Sequence, residues 1–151
     1  MYSLIKILHY YWSYLALLVL TYAVFNALIG KIKGKDFESK DLRISLFGLI
    51  FCHIQLLIEL MLYFISPWFN QWSKLGIVNV MFNSQIRFYL VENPLVNIIA
   101  ILLITVGWSL HKKQSDPGKK FLRIFLFYGL GLLLLLTRIS WINSTENIHQ
   151  L

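Results

Sequence analysis

Four apolar runs divide the chain, at residues 7–29, 44–66, 94–111 and 121–141. Crossing the hydrocarbon core of a bilayer takes about 20 apolar residues in a helix. Each run is near that length, the third at the short end, so the pattern predicts four transmembrane helices. Gly30 is read as closing the first of them, and Ser39 or Asp41 as capping the second. Pro67 stops the second run, and Pro94 opens the third at a position suited to a first helical turn. Residues 67–93 are too polar to span, yet Trp68, Trp72, Ile77, Phe82, Phe88 and Tyr89 make them amphipathic. That combination predicts helical pieces on the membrane surface or across the mouth of the bundle. Asp116-Pro117-Gly118 reads as a turn, Gly129 and Gly131 as sites of close helix approach, and residues 142–151 as a loosely ordered polar tail. The fold class expected is therefore an all-α membrane protein, one four-transmembrane-helix bundle over residues 1–151 with an amphipathic segment between its second and third spans.

Composition agrees: 58% of residues are hydrophobic, more than a soluble domain of this size can hide. The net charge of +7 raises nucleic acid as a partner, but the basic residues form no stripe interleaved with aromatics. They gather instead between spans. Ten of the fourteen lysines and arginines lie in residues 31–43 and 111–123, leaving Lys6, Lys74, Arg87 and Arg138 on the other side. Basic short loops stay in the cytoplasm. This places both basic loops inside and both termini outside, in a multi-pass protein of a bacterial inner membrane. The first run outlasts a secretory signal's apolar core and no small-x-small cleavage site follows it, so it reads as a retained span. Cys52 stands alone, which excludes a disulfide framework and a paired-cysteine metal site.

Polar residues inside the spans carry whatever chemistry there is, because each is costly in hydrocarbon. With a helix rise of about 1.5 Å per residue, His9 and Asn97 lie about 5 Å below the outer boundary and Glu59 about 10 Å below it. Asn93 is at the rim, and Arg138 is about a turn from the end of its span. Glu59, Arg138, Asn97 and Asn93, with His9 beside them, are thus expected to form one buried polar cluster. Three readings of Glu59 stay open: an ion pair with Arg138 that ties helices together, a protonatable group in an ion or proton path, and a carboxylate facing a partner subunit. His53 falls near mid-membrane, where a hydrogen bond to a neighbouring helix is the favoured reading. His111 is read as a solvated loop histidine. A bis-histidine haem needs two imidazoles at similar depth on facing helices. His9 and His53 differ by about 10 Å. No phosphate-binding glycine loop, nucleophile elbow or carboxylate pair occurs.

Several stretches also carry a resemblance: Leu8-His9, His53-Ile54-Gln55-Leu56-Leu57-Ile58, Tyr63-Phe64-Ile65-Ser66-Pro67, Arg87-Phe88, Val91-Glu92, residues 98–107, and Ile139-Ser140-Trp141. In this order, over nearly the whole chain, they resemble small four-span membrane proteins of Bacteroidota-type bacteria commonly labelled cytochrome B. The resemblance implies a four-helix bundle with b-type haem between its helices, held by histidines at four places. His9 and His53 match two of these. Asn93 and Trp108 stand at the other two, and Glu59 stands where a glycine is usual. One member of each implied ligand pair is therefore replaced by a residue that does not ligate haem.

These readings converge on a non-enzymatic, cytochrome-b-like inner-membrane protein, an accessory or structural subunit of a larger membrane complex without functional haem. Its expected partners are the lipid bilayer and other membrane subunits, with no nucleic acid and no metal. The alternatives are a b-type haem electron carrier that uses His9 and His53, and a small proton- or ion-handling protein that uses Glu59.

Overall fold

A computed structural model describes the backbone of residues 1–149 and the side chains of residues 1–138. Every element among the described residues is helical. Helix α1 spans Tyr2–Lys33 and α2 spans Ser39–Ile65. A short 3-10 turn at Pro67–Asn70 leads into α3, Gln71–Phe82, and α4, Ser84–Arg87. A π-helical turn over Phe88–Glu92 then runs directly into α5, Asn93–Lys112, and α6 covers Pro117–His149. Four stretches are long and apolar enough to cross a membrane: Tyr2–Lys33, Ser39–Ile65, Ser84–Lys112 and Pro117–Arg138.

The helices outrun the apolar stretches that signal them, because a helix ends where its backbone is capped and not where its side chains turn polar. The first helix stops at Gly34, whose φ of 63° is the left-handed conformation glycine tolerates. There Gly34 N–H reaches Lys31 O at 3.3 Å and Lys35 N–H reaches Gly30 O at 3.1 Å, the paired bonds of a Schellman cap. Gly30, expected to close the helix, lies inside it. A Cβ there would come within 2.6 Å of the Phe121 ring, so its role is to let α6 approach. At α2 the cap is Glu38, with Asp41 reaching back to its N–H at 3.0 Å. Asp116 opens α6 in place of the expected free turn. Its carboxylate accepts from Lys119 N–H at 3.2 Å, and Pro117 takes the first helical position. The expected loose tail is helical as far as His149, since no glycine or proline follows Gly131 to stop it. The side chains of Ile139, Ser140, Trp141 and His149, and all of Gln150 and Leu151, lie outside the described residues.

The bundle closes in the order α1, α2, α5, α6 and back to α1, with α2 and α5 the most loosely packed neighbours. Its core is built from one stripe per helix: Leu20, Ala23 and Ala27 on α1, Cys52 on α2, Ile101 and Ile104 on α5, and Phe121, Ile124 and Tyr128 on α6. Opposite faces expose large apolar side chains such as Leu18, Leu57, Leu102 and Leu133, the arrangement suited to a lipid solvent. Between helices in lipid, close backbone contact replaces the hydrophobic drive. Gly131 supplies it, since a Cβ there would meet Ala100 O at 2.9 Å. Gly107 does the same against Phe127, at 2.5 Å from its Cβ. Gly129, also expected at a close approach, faces open space.

Proline placement explains how the amphipathic connection is fastened. Pro94 has no N–H to offer the Leu90 carbonyl four residues earlier. That carbonyl instead accepts the Tyr63 hydroxyl at 3.1 Å, and Tyr63 Oη accepts Trp72 Nε1–H at 3.0 Å. One tyrosine thus joins α2, the π-helical turn ahead of α5, and α3. Trp68 stacks on Tyr89 at 4.8 Å and lies across the same end of the bundle.

Candidate functional site

The α1 face that carries Leu20 continues outward through Ala16, Ser13 and His9, at spacings of four and three. The α2 face that carries Cys52 continues through Gln55 and Glu59, and the α5 face of Ile101 through Asn97 and Asn93. Three polar stripes therefore converge at one end of the bundle. The apolar layer of Leu20, Ala23, Cys52, Ile101 and Ile104 lies beneath them.

Glu59 is the centre. Its Oε1 accepts from His9 Nε2 at 3.3 Å and from Gln55 Nε2 at 3.2 Å, and its Oε2 accepts from Asn97 Nδ2 at 3.0 Å. Gln55 Nε2 also donates to Ser13 Oγ at 2.6 Å, and the Ser13 hydroxyl in turn donates to His9 O at 2.6 Å. Three helices thereby supply donors to one carboxylate, the form in which a buried acid is best compensated. The Glu59–Arg138 ion pair, one of the three readings open for Glu59, is not formed. Arg138 turns to the Phe88 ring, its guanidinium carbon 5.6 Å from the centroid. A long flexible stem and a second aromatic acceptor within reach account for the difference. Asn93 stands one turn beyond Asn97, and its Oδ1 is buried with no hydrogen-bond partner among the described residues.

These residues line a half-enclosed cavity of about 410 Å³. His9, Gln55, Glu59, Asn93 and Asn97 form its polar wall, and Lys6 and Arg138 join the lining nearer the helix ends. Much of the rest is leucine and isoleucine, among them Leu56, Leu60, Ile98 and Leu135, with Tyr2, Tyr63, Trp68 and Tyr89 adding aromatic surface. An apolar hollow with a few converging polar groups, of this size, is the usual shape of a small-molecule site.

His53 belongs elsewhere. Its Nδ1 lies 2.8 Å from Leu49 O and its Nε2 lies 3.3 Å from Thr105 Oγ1. A carbonyl only accepts, so Nδ1 carries a hydrogen, and Nε2 is occupied by Thr105, whose hydroxyl also donates to Ile101 O at 2.7 Å. His111 is a correction to the sequence reading. It is fully buried, not solvated, its ring 4.6 Å from Trp108 and 5.4 Å from Phe37. It follows Ile104 and Gly107 on the inward face of α5, and Phe37 folds over it from the loop. The opposite end of the bundle holds a second polar tie, Asn26 Nδ2 to Asp41 Oδ1 at 2.9 Å.

The residues present do not fit a bis-histidine haem. His53 Nε2 meets Thr105, and His9 faces Glu59 in a different layer. The glycines at close approaches are filled by Phe121, Phe127, Ile104 and the Ala100 carbonyl, which leaves no flat slot beside them. Trp108, at one implied ligand position, lies against the His111 ring. Among the described residues no group of three or more histidine, cysteine, aspartate or glutamate side chains is arranged to hold a metal ion. No protein-family model, curated protein or solved structure matches the chain.

Proposed function

We propose that the chain is a non-enzymatic, cytochrome-b-like protein of a bacterial inner membrane. It serves as an accessory subunit of a larger assembly, and its contribution is to hold a small amphipathic ligand among α1, α2 and α5. The observation that carries the ligand is the Glu59 carboxylate, fixed by His9, Gln55 and Asn97 at the wall of an otherwise apolar cavity of about 410 Å³. A bundle that needed Glu59 only as glue has no use for open volume beside it. The distribution of lysine and arginine supports basic loops in the cytoplasm and a cavity that opens outward.

Purification in mild detergent followed by native mass spectrometry tests this reading. The expected result is a retained amphiphile that is lost when the cavity is filled by Ala16→Phe or Leu60→Trp. Retention that ignores both substitutions overturns it. Co-purification from native membranes without crosslinking tests the subunit role, and a chain that emerges alone sinks it.

The His9–Glu59 pair also favours a proton-handling role, as two titratable groups in contact at 3.3 Å. A path across the bilayer needs further such groups in sequence. Beneath Gln55 and Ser13 the core is Leu20, Ala23, Cys52, Ile101 and Ile104. A binding role is therefore the stronger reading. Proton movement through the protein in vesicles, abolished by Glu59→Gln, would reverse that order.

A further inference from the structure

The unmet hydrogen-bonding capacity of the cavity has a sign. Gln55 is 7% exposed, and its Nε2 is committed to Ser13 and Glu59, both acceptors. Rotating the amide would set oxygen against oxygen, so the orientation is fixed. Its Oε1 accepts no hydrogen bond among the described residues, and neither does Asn93 Oδ1. Both residues line the cavity, and Glu59 adds a carboxylate whose Oε2, with one bond from Asn97, can accept again. At the level of Gln55, Glu59 and Asn93 the wall is short of donors. A ligand that completes it brings N–H groups and positive charge.

Lys6 and Arg138 restrict the ligand further. Both line the same cavity, three residues beyond His9 and Leu135 toward the helix ends. A simple cation would meet repulsion from them. A zwitterion whose anionic group lies at their level would not. Leu56, Leu60 and Ile98 then line the way along the loosely packed seam between α2 and α5, where an apolar chain can leave.

We propose that the cavity recognises a phosphoethanolamine group. Its primary ammonium is taken by Glu59 and Asn93, its phosphate by Lys6 and Arg138, and its attached chain by the α2–α5 seam. This rests on the reading that the cavity holds a ligand, and specifies its chemistry. The group reaches the site on a membrane phospholipid or as a free soluble molecule, and recognition is the same in both cases. A quaternary ammonium fails because it has no N–H to donate. A glycerol headgroup fails because it has no charge for Glu59.

The test is lipid retention by the full chain. The protein is equilibrated in mixed micelles with equal amounts of phosphatidylethanolamine, phosphatidylcholine and phosphatidylglycerol, then measured by native mass spectrometry. Phosphatidylethanolamine is expected to be retained about ten-fold over each of the others, the worth of one charge-assisted hydrogen bond. Glu59→Gln is expected to remove the preference. Asn93→Leu leaves the bonds of Glu59 to His9, Gln55 and Asn97 in place and is expected to reduce the preference, which keeps the test decisive if Glu59→Gln misfolds. Free phosphoethanolamine at millimolar concentration supplies the second arm. Its binding without lipid selectivity assigns the site to a soluble ligand, and selectivity for the lipid assigns it to the bilayer. Equal retention of all three lipids, with no binding of free phosphoethanolamine, overturns the proposal. If Ala16→Phe then lowers retention of all three alike, the cavity reading survives without the phosphoethanolamine. If it changes nothing, both fail.

Discussion

Tyr63→Phe isolates one atom on which three elements depend. The hydroxyl donates to Leu90 O at 3.1 Å and accepts from Trp72 Nε1 at 3.0 Å. Trp72 is only half-buried and can find water, so the cost falls mainly on the carbonyl. A buried acceptor that loses its donor costs about 1–3 kcal/mol, Leu90 is 3% exposed, and the phenylalanine ring keeps the packing against Phe69. The expected destabilisation is about 1–2 kcal/mol. Its cause is specific: the carbonyl is in need because residue 94 is proline. Pro94→Ala returns an N–H four residues ahead of Leu90 and lets the helix satisfy it. In the Pro94→Ala background the same Tyr63→Phe change is therefore expected to cost about 1 kcal/mol less. Reversible unfolding by sodium dodecyl sulfate in mixed micelles, followed by circular dichroism, measures all four proteins of the cycle. Additivity within about 0.3–0.5 kcal/mol would refute the reasoning, because independent sites behave that way.

Three further outcomes follow from the packing and from Glu59. Gly131→Ala places a Cβ 2.9 Å from the Ala100 carbonyl and is expected to cost about 1–3 kcal/mol, whereas Gly129→Ala, facing open space, changes stability by less than about 0.5 kcal/mol in the same assay. Glu59→Leu strands donors from His9, Gln55 and Asn97 and is expected to destabilise by about 2–4 kcal/mol. Glu59→Gln keeps an acceptor for at least one of them and costs less, and equal losses for the two variants would contradict the geometry. Titration of the purified protein with haem is expected to leave the Soret band of free haem unshifted, and a shift that disappears in His53→Ala would overturn the assignment of that imidazole to Leu49 and Thr105.

Four helices were legible because apolar length is one-dimensional, and so was the depth of each polar residue. Depth alone brought Glu59, Asn97 and Asn93 to one end of the bundle. It could not choose between His9 and Arg138 as the partner of Glu59, since both lie near that end. Azimuth decides, and it was present in the sequence. His9, Ser13, Ala16 and Leu20 share one α1 face, and Leu20 is fully buried. Carried outward, that face points His9 into the bundle. The same reasoning would have placed His111 inside, three and four residues along the face of Ile104 and Gly107, where Phe37 covers it. Arg138 was less readable. Its stem reaches in several directions, and Phe88 comes beside it only through the π turn that precedes Asn93. That turn has no simple signature, and neither does the open volume beside Glu59. A cavity is the difference between what the helices enclose and what their side chains fill, so a change of one residue's size at Ala16 alters it while leaving every span and every depth unchanged. The apolar pattern therefore specifies the bundle, and a few small and polar positions at one end of it specify what the bundle can hold.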